Sequence, residues 1–185
     1  MGIFLSFLPW IIFWVISGNN NYQIGALAAM VMVIFLNIKN VKQGNVKILD
    51  LGTLIFFFIL TGISFFSMAV WVDKYAAPLS NVAMFLIAVI SLALRKPFTI
   101  QYAYEKVNPE FWNTPKFYTT NRTITVIWCI TFAINAFLSY LYVRNPNIFF
   151  WGIIIIVLIG AIKFTVWYPD FVKAKSQQSR QVARD

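Results

Sequence analysis

Six apolar segments, separated by short polar connections, make up most of this chain. They cover residues 3–17, 24–38, 51–72, 79–94, 123–143 and 148–168. A helix rises about 1.5 Å per residue and the hydrocarbon core of a bilayer is about 30 Å thick, so a crossing helix needs about 20 apolar residues. The pattern therefore predicts an all-α polytopic integral membrane bundle with six transmembrane helices.

The first two segments are each about 15 residues long, which is short for a full crossing. A re-entrant hairpin is the alternative, but irregular backbone exposed to lipid is costly, whereas local thinning of the bilayer can absorb a short helix. We therefore predict two short spans. Proline marks two further boundaries: Pro78 is expected to start the fourth helix, and Pro169 with Asp170 to end the sixth.

The composition agrees with a membrane protein and excludes several kinds of site. Of the 185 residues, 60% are hydrophobic and 11% charged, against roughly 45–50% and 25% in soluble domains. There is no histidine and a single cysteine, Cys129, which excludes His-ligated haem, His-containing zinc sites and imidazole-dependent catalysis. We expect no metal, no cofactor, and one transmembrane domain over 1–172 followed by a basic tail, 173–185.

Lysine and arginine accumulate at alternate connections, and this sets the predicted orientation. One set lies between segments two and three, between four and five, and in the tail: Lys39, Lys42, Lys47, Arg95, Lys96, Lys106, Lys116, Arg122, Lys173, Lys175, Arg180 and Arg184. The other connections hold only Lys74 and Arg144. Positive residues favour the cytoplasmic side, so both termini are predicted to be cytoplasmic. The net charge of +9 is read as topological, and no nucleic-acid partner is expected.

The polar insert between the fourth and fifth segments, RKPFTIQYAYEKVNPEFWNTPKFYTTNR, is basic and aromatic. From Phe98 onward it predicts a short helix lying in the headgroup region, where aromatic rings are favoured. Its function is either docking of an anionic lipid headgroup or partner protein, or simple anchoring of the bundle. The predicted surface consists of Arg95, Lys96, Phe98, Tyr102, Lys106, Trp112, Lys116 and Arg122. Glu105 and Glu110 are weaker candidates for general acids.

Uncharged polar and small residues inside the segments indicate where helices meet. Thr131, Asn135 and Ser139 recur every four residues and form one polar stripe. The stripe predicts hydrogen bonding between helices, with a polar pathway for solute as the alternative. Gly25 in the second segment is expected to allow close helix packing, and so are Gly152 and Gly160 in the sixth.

Several short motifs, in order along the chain, resemble those of the bacterial inner-membrane septation family, also called intracellular septation protein A. They are FLSFLPWIIFWV from Phe4, KPFTIQ from Lys96 followed by a glutamate, FW at 111–112, and then Asn121, Trp128 and Phe132. The YAYEKVNPEF stretch departs from the family pattern by being longer and more aromatic. The resemblance implies a small polytopic protein connected with envelope synthesis and division through protein partners, without established catalytic residues.

The sequence therefore predicts a non-enzymatic protein of the bacterial inner membrane that acts through contacts. We expect an envelope-biogenesis or septation-type factor, or an accessory subunit of a membrane complex, with anionic lipids and other membrane proteins as partners. One competing hypothesis is a small-solute channel or facilitator that uses the polar stripe. Another is a lipid-modifying enzyme at the cytoplasmic face.

Overall fold

The computed structural model describes residues 2–17, 21–42, 44–66 and 69–182. Over these residues the backbone forms α-helices and one 3-10 turn, Pro109–Phe111, with no strand. The helices are α1 (Ile3–Ser6), α2 (Leu8–Ser17), α3 (Tyr22–Lys42), α4 (Ile48–Phe66), α5 (Ala69–Ala93), α6 (Phe98–Ala103), α7 (Pro115–Arg144) and α8 (Ile148–Val182). The prediction of an all-α fold is confirmed.

Within the described residues, four helical stretches are long and apolar enough to cross a membrane. They are Ile48–Phe65, Lys74–Ala93, Pro115–Arg144 and Ile148–Gln178. The first two predicted spans correspond to the shorter apolar stretches Ile3–Ser17 and Tyr22–Ile38. These four stretches indicate a membrane protein, and the total of six transmembrane helices stays a prediction.

Both proline boundaries were predicted wrongly. Pro78 lies inside α5 and Pro169 lies inside α8, which continues to Val182. A proline in a helix removes one backbone donor, and neighbouring hydroxyl and amide side chains can bond carbonyl groups near it in membrane helices. In α5 the side chains of Ser80 and Asn81 both donate to the carbonyl of Ala77, at 2.8 and 3.0 Å.

Helix α7 begins eight residues before the predicted fifth segment, at Pro115 rather than 123. Thr114 is its N-cap, and its hydroxyl accepts a hydrogen bond from the Phe117 N–H at 3.2 Å, as capping residues do. Proline at the first helical position costs nothing, since that N–H has no helical partner. Lys116 and Arg122, predicted in the insert, thus lie on the first turns of α7.

Two buried tryptophans join neighbouring helices: Trp10 joins α2 to α4, and Trp128 joins α7 to α8. Trp10 of α2 is fully buried, and its indole N–H donates to the Thr53 hydroxyl of α4 at 3.0 Å. Its ring packs against Phe56 and Phe57, with centroids at 5.0 and 4.9 Å. Trp128 of α7 donates to the Thr165 hydroxyl of α8 at 3.0 Å. Because each indole fills space and also pairs its N–H, these contacts fix the register of neighbouring helices.

Glycine marks close helix contacts in the first half of the chain only. A Cβ atom at Gly25 would lie 2.7 Å from the Ser17 hydroxyl and 3.3 Å from the Phe13 carbonyl, which confirms the predicted close packing of α2 on α3. At Gly152 and Gly160 a Cβ would meet no described atom within 4 Å. Close packing at these two positions was therefore predicted wrongly, because this face of α8 is exposed in the structure.

Candidate functional site

Three basic parts of the chain meet at one end of the bundle. The ammonium of Lys47, before α4, lies 2.6 Å from the Glu105 carboxylate, after α6. The start of α7 and the last part of α8 come together in a notch that Lys116 and Lys175 both line. The segments that follow α3 and α5 and the end of α8 are therefore neighbours, although they are far apart in sequence.

Helix α5 is followed by a reversal of the backbone that contains the basic residues Arg95 and Lys96. Arg95 has φ of 55°, its N–H bonds the Leu92 carbonyl at 3.0 Å, and the Lys96 N–H bonds the Ser91 carbonyl at 2.9 Å. This is the Schellman arrangement, which glycine usually occupies because a side chain is strained there. Pro97 follows and prevents continuation of the helix. Arg95 and Lys96 are both exposed.

Helix α6 packs into the bundle by its aromatic residues. Phe98 is 0% and Tyr102 3% exposed, so the structure places these two members of the predicted surface in the core. The Phe98 N–H donates to the Ser91 hydroxyl at 3.1 Å, and the Ile48 N–H at the start of α4 donates to the Gln101 side chain at 2.8 Å. Residues Phe98–Ala103 form a helix of six residues, and an interfacial helix in the headgroup region stays a prediction.

The remaining members of the predicted surface are accessible. Trp112 is half-buried, donates to the Val107 carbonyl at 2.8 Å and packs edge-on against Tyr104, with centroids 4.8 Å apart. We call the exposed charged members the basic surface: Arg95, Lys96, Lys106, Lys116 and Arg122. The guanidinium and ammonium groups of these side chains can bind phosphate and carboxylate groups.

A buried acid under the basic surface was missed at the sequence level. Asp50, in the first turn of α4, is 2% exposed, and one carboxylate oxygen, Oδ1, accepts from the Tyr102 hydroxyl at 3.4 Å. The side chains of Ser6 and Asn37 lie beside it, and the charge of Lys47 acts on it. Its other oxygen, Oδ2, has no hydrogen-bond partner among the described residues. We call these five residues the Asp50 cluster.

Lys47 joins the Asp50 cluster to the surface. Its ammonium lies 4.1 Å from the Tyr102 ring centroid while it bonds Glu105. Burial raises the pKa of Glu105, but the hydrogen bond from Lys47 and its charge outweigh that effect and hold the pKa below its usual value. Burial, and then the charge of Asp50, raise the pKa of Tyr102. The Glu105 pair therefore contributes to stability at neutral pH, and this contribution is lost on acidification through the lowered pKa.

The polar stripe of α7 is buried against its neighbours. Thr131, Asn135 and Ser139 are all buried, and the Asn81 amide of α5 donates to the Ser139 hydroxyl at 3.4 Å. Hydrogen bonds between helices in a membrane contribute about 0.6 kcal/mol each on average. The stripe thus faces a helix interface, while Asn135 Oδ1 has no partner within the described part of the chain.

The chain matches no protein-family model, no curated protein and no solved structure. The chemistry of the basic surface and of the bundle beneath it therefore carries the functional argument.

Proposed function

We propose that this is a non-enzymatic, six-span protein of the bacterial inner membrane that works through contacts of its basic surface with anionic lipids and other membrane proteins. Its role is that of an envelope-biogenesis or septation-type factor, or of an accessory subunit of a membrane complex. The observation that carries the proposal is the convergence of Lys47, Lys116 and Lys175 at one end of the bundle. Charge at a single end favours a cytoplasmic surface.

The lengths and packing of the first helices support six crossings. Helix α3 has 21 residues, which corresponds to about 32 Å and matches the hydrocarbon core. The stretch Ile3–Ser17 is shorter, at about 22 Å, but the buried contacts of Trp10 hold it inside the bundle. Local thinning of the bilayer can accommodate this difference.

The proposed orientation predicts that Lys42 and Lys116 lie on the same side of the membrane. Single cysteines at these positions and at Arg144, in a Cys129→Ser background, should report this through a membrane-impermeant maleimide. In inside-out vesicles we expect labelling at positions 42 and 116 and protection at 144, with the reverse in intact spheroplasts. Labelling of 42 and 116 from opposite sides would overturn the orientation and the six-span topology together.

To test the contacts themselves, a photocrosslinking amino acid at Lys106 should capture lipid or membrane proteins in native membranes, because this residue is exposed on the basic surface. The same probe at Ile156, exposed on α8, controls for random collisions with lipid and neighbours. Adducts specific to position 106 support the proposal. Identical adducts at both positions contradict it.

A small-solute channel or facilitator is the second candidate, and the buried, unpartnered Oδ1 of Asn135 is the observation that favours it. If the stripe only packs helices, Asn135→Leu should lower the thermal unfolding midpoint, because a branched apolar side chain must fit the buried space that the Asn135 amide fills. Solute flux in proteoliposomes should stay at the background of empty vesicles for both proteins. Ile134→Leu, at the adjacent exposed position, is the control. Flux in the parent that Asn135→Leu abolishes, with the fold intact, would establish the channel.

A further inference from the structure

The first turn of α7 and the last part of α8 enclose an open notch of about 350 Å³. Its lining combines cations, hydroxyl groups and apolar side chains: Lys116, Tyr168, Phe171, Val172, Lys175 and Ser176. Both lysines are exposed, and the Ser176 hydroxyl already donates to the Lys173 carbonyl at 2.8 Å. The two ammonium groups and the Tyr168 phenol give this lining several hydrogen-bond donors of the kind that bind anions.

The depth of the notch follows from helix length. Helix α7 has 30 residues, or about 45 Å, which exceeds a hydrocarbon core of about 30 Å and equals the thickness including headgroups. If α7 crosses the bilayer, Lys116, its second residue, is therefore expected at the level of the headgroups. Aromatic pairs continue at the same level on α8: Tyr168 stacks on Phe164 and Phe171 on Trp167, with centroids at 4.8 and 4.9 Å. Such aromatic residues are typical of the membrane interface.

The surface next to the notch is apolar and exposed. Trp167 and Phe171, one helical turn apart and stacked on each other, are each about half exposed, so a short apolar path runs from the notch back along α8. A ligand with an anionic head and hydrocarbon chains would match both the lysines of the notch and the exposed apolar side chains beside it. An acidic peptide would match the lysines but would leave the exposed apolar path uncovered.

We propose that the notch binds the headgroup of an anionic phospholipid. Lys116 and Lys175 hold the phosphodiester, and the glycerol and first acyl carbons lie against Phe171 and Val172. This site rests on the proposed function and makes it specific, since it names one position where lipid contact is stoichiometric rather than diffuse. It also uses Lys175 of the tail, which the predicted surface did not include.

The test compares two double variants with the same loss of charge. The full chain, purified in detergent, is titrated with phosphatidylglycerol or phosphatidylcholine, and bound lipid per chain is counted by native mass spectrometry. At about 1 kcal/mol for each lysine, Lys116→Gln/Lys175→Gln should weaken binding of the first phosphatidylglycerol about 30-fold. The control Lys42→Gln/Lys173→Gln removes two exposed lysines that lie outside both the notch and the basic surface and should change this binding less than threefold. Thermal unfolding of each variant shows that it is folded.

Each outcome decides one part of the proposal. Equal weakening by both double variants would overturn the notch but leave a diffuse basic surface, and thus the proposed function, in place. Absence of any preference for phosphatidylglycerol in the parent would overturn both. Displacement of the lipid by millimolar inorganic phosphate, or by an acidic peptide at lower concentration than the lipid, would show that the apolar contacts are not used and would overturn the lipid assignment.

Discussion

Replacing Trp10 by Ala is expected to lower the free energy of unfolding by about 3–5 kcal/mol, the range for removing a large buried aromatic residue. The change empties the space against Phe56 and Phe57 and leaves the Thr53 hydroxyl without its indole donor. Reversible unfolding in mixed micelles measures the effect. It should exceed that of Phe57→Leu, which removes a ring but no hydrogen bond.

Trp167→Ala is the matched control for Trp10, since Trp167 is 55% exposed on α8. In lipid or detergent its ring exchanges one apolar neighbour for another, so we expect a change below about 1 kcal/mol. Equal losses at both positions would mean that Trp10 does not hold the first helices to α4, and the evidence for Ile3–Ser17 as part of the bundle would fail.

Lys47→Gln is expected to cost about 3 kcal/mol, because it leaves the buried Asp50 carboxylate without the positive charge of Lys47. Its side chain is 9% exposed, and its loss affects Asp50, the Glu105 contact and the ring of Tyr102. Proteolysis between α6 and α7 should accelerate in parallel with the loss of unfolding free energy, since Lys47 anchors this connection.

Two further variants distinguish the effect of the uncompensated Asp50 carboxylate from the effect of losing any lysine. Lys42→Gln, at an exposed position, should be nearly neutral. Asp50→Asn added to Lys47→Gln should restore part of the lost stability, because the amide removes the uncompensated carboxylate. If the double variant is as unstable as the sum of the single changes, Lys47 and Asp50 do not interact in the way the geometry implies.

Hydropathy was sufficient to predict helices and the membrane, but it placed the ends poorly. The apolar residues 69–72 continue the third segment in composition, although α4 ends at Phe66 and α5 begins at Ala69. Hydropathy alone cannot show that one apolar stretch is divided between two helices. Pro78 was read as the start of one helix and Pro169 as the end of another because the rule for soluble helices was applied, whereas membrane helices tolerate an interior proline.

The sequence was sufficient to predict which charged residues are exposed at the candidate site, but not which aromatic residues are buried beneath them. Arg95, Lys96, Lys106, Lys116 and Arg122 are exposed as the basic composition of the insert indicated. Phe98 and Tyr102 were assigned to the same surface because aromatic rings are common both at the membrane interface and in a protein core. Only tertiary contacts decide between these two locations. The burial of Asp50 could not be predicted from the sequence, since nothing local shows that Tyr102, 52 residues away, reaches it.

The packing of α8 affects how freely its sequence can change. It packs chiefly along α7, and Ile148 and Ile156 are among its most exposed side chains. Hydrocarbon chains accept any apolar shape, whereas a protein neighbour accepts few. Exchanges among leucine, valine, isoleucine and phenylalanine on the outer face of α8 should therefore accumulate during evolution with little selection, while Ala161 and Thr165, which contact α7, change slowly.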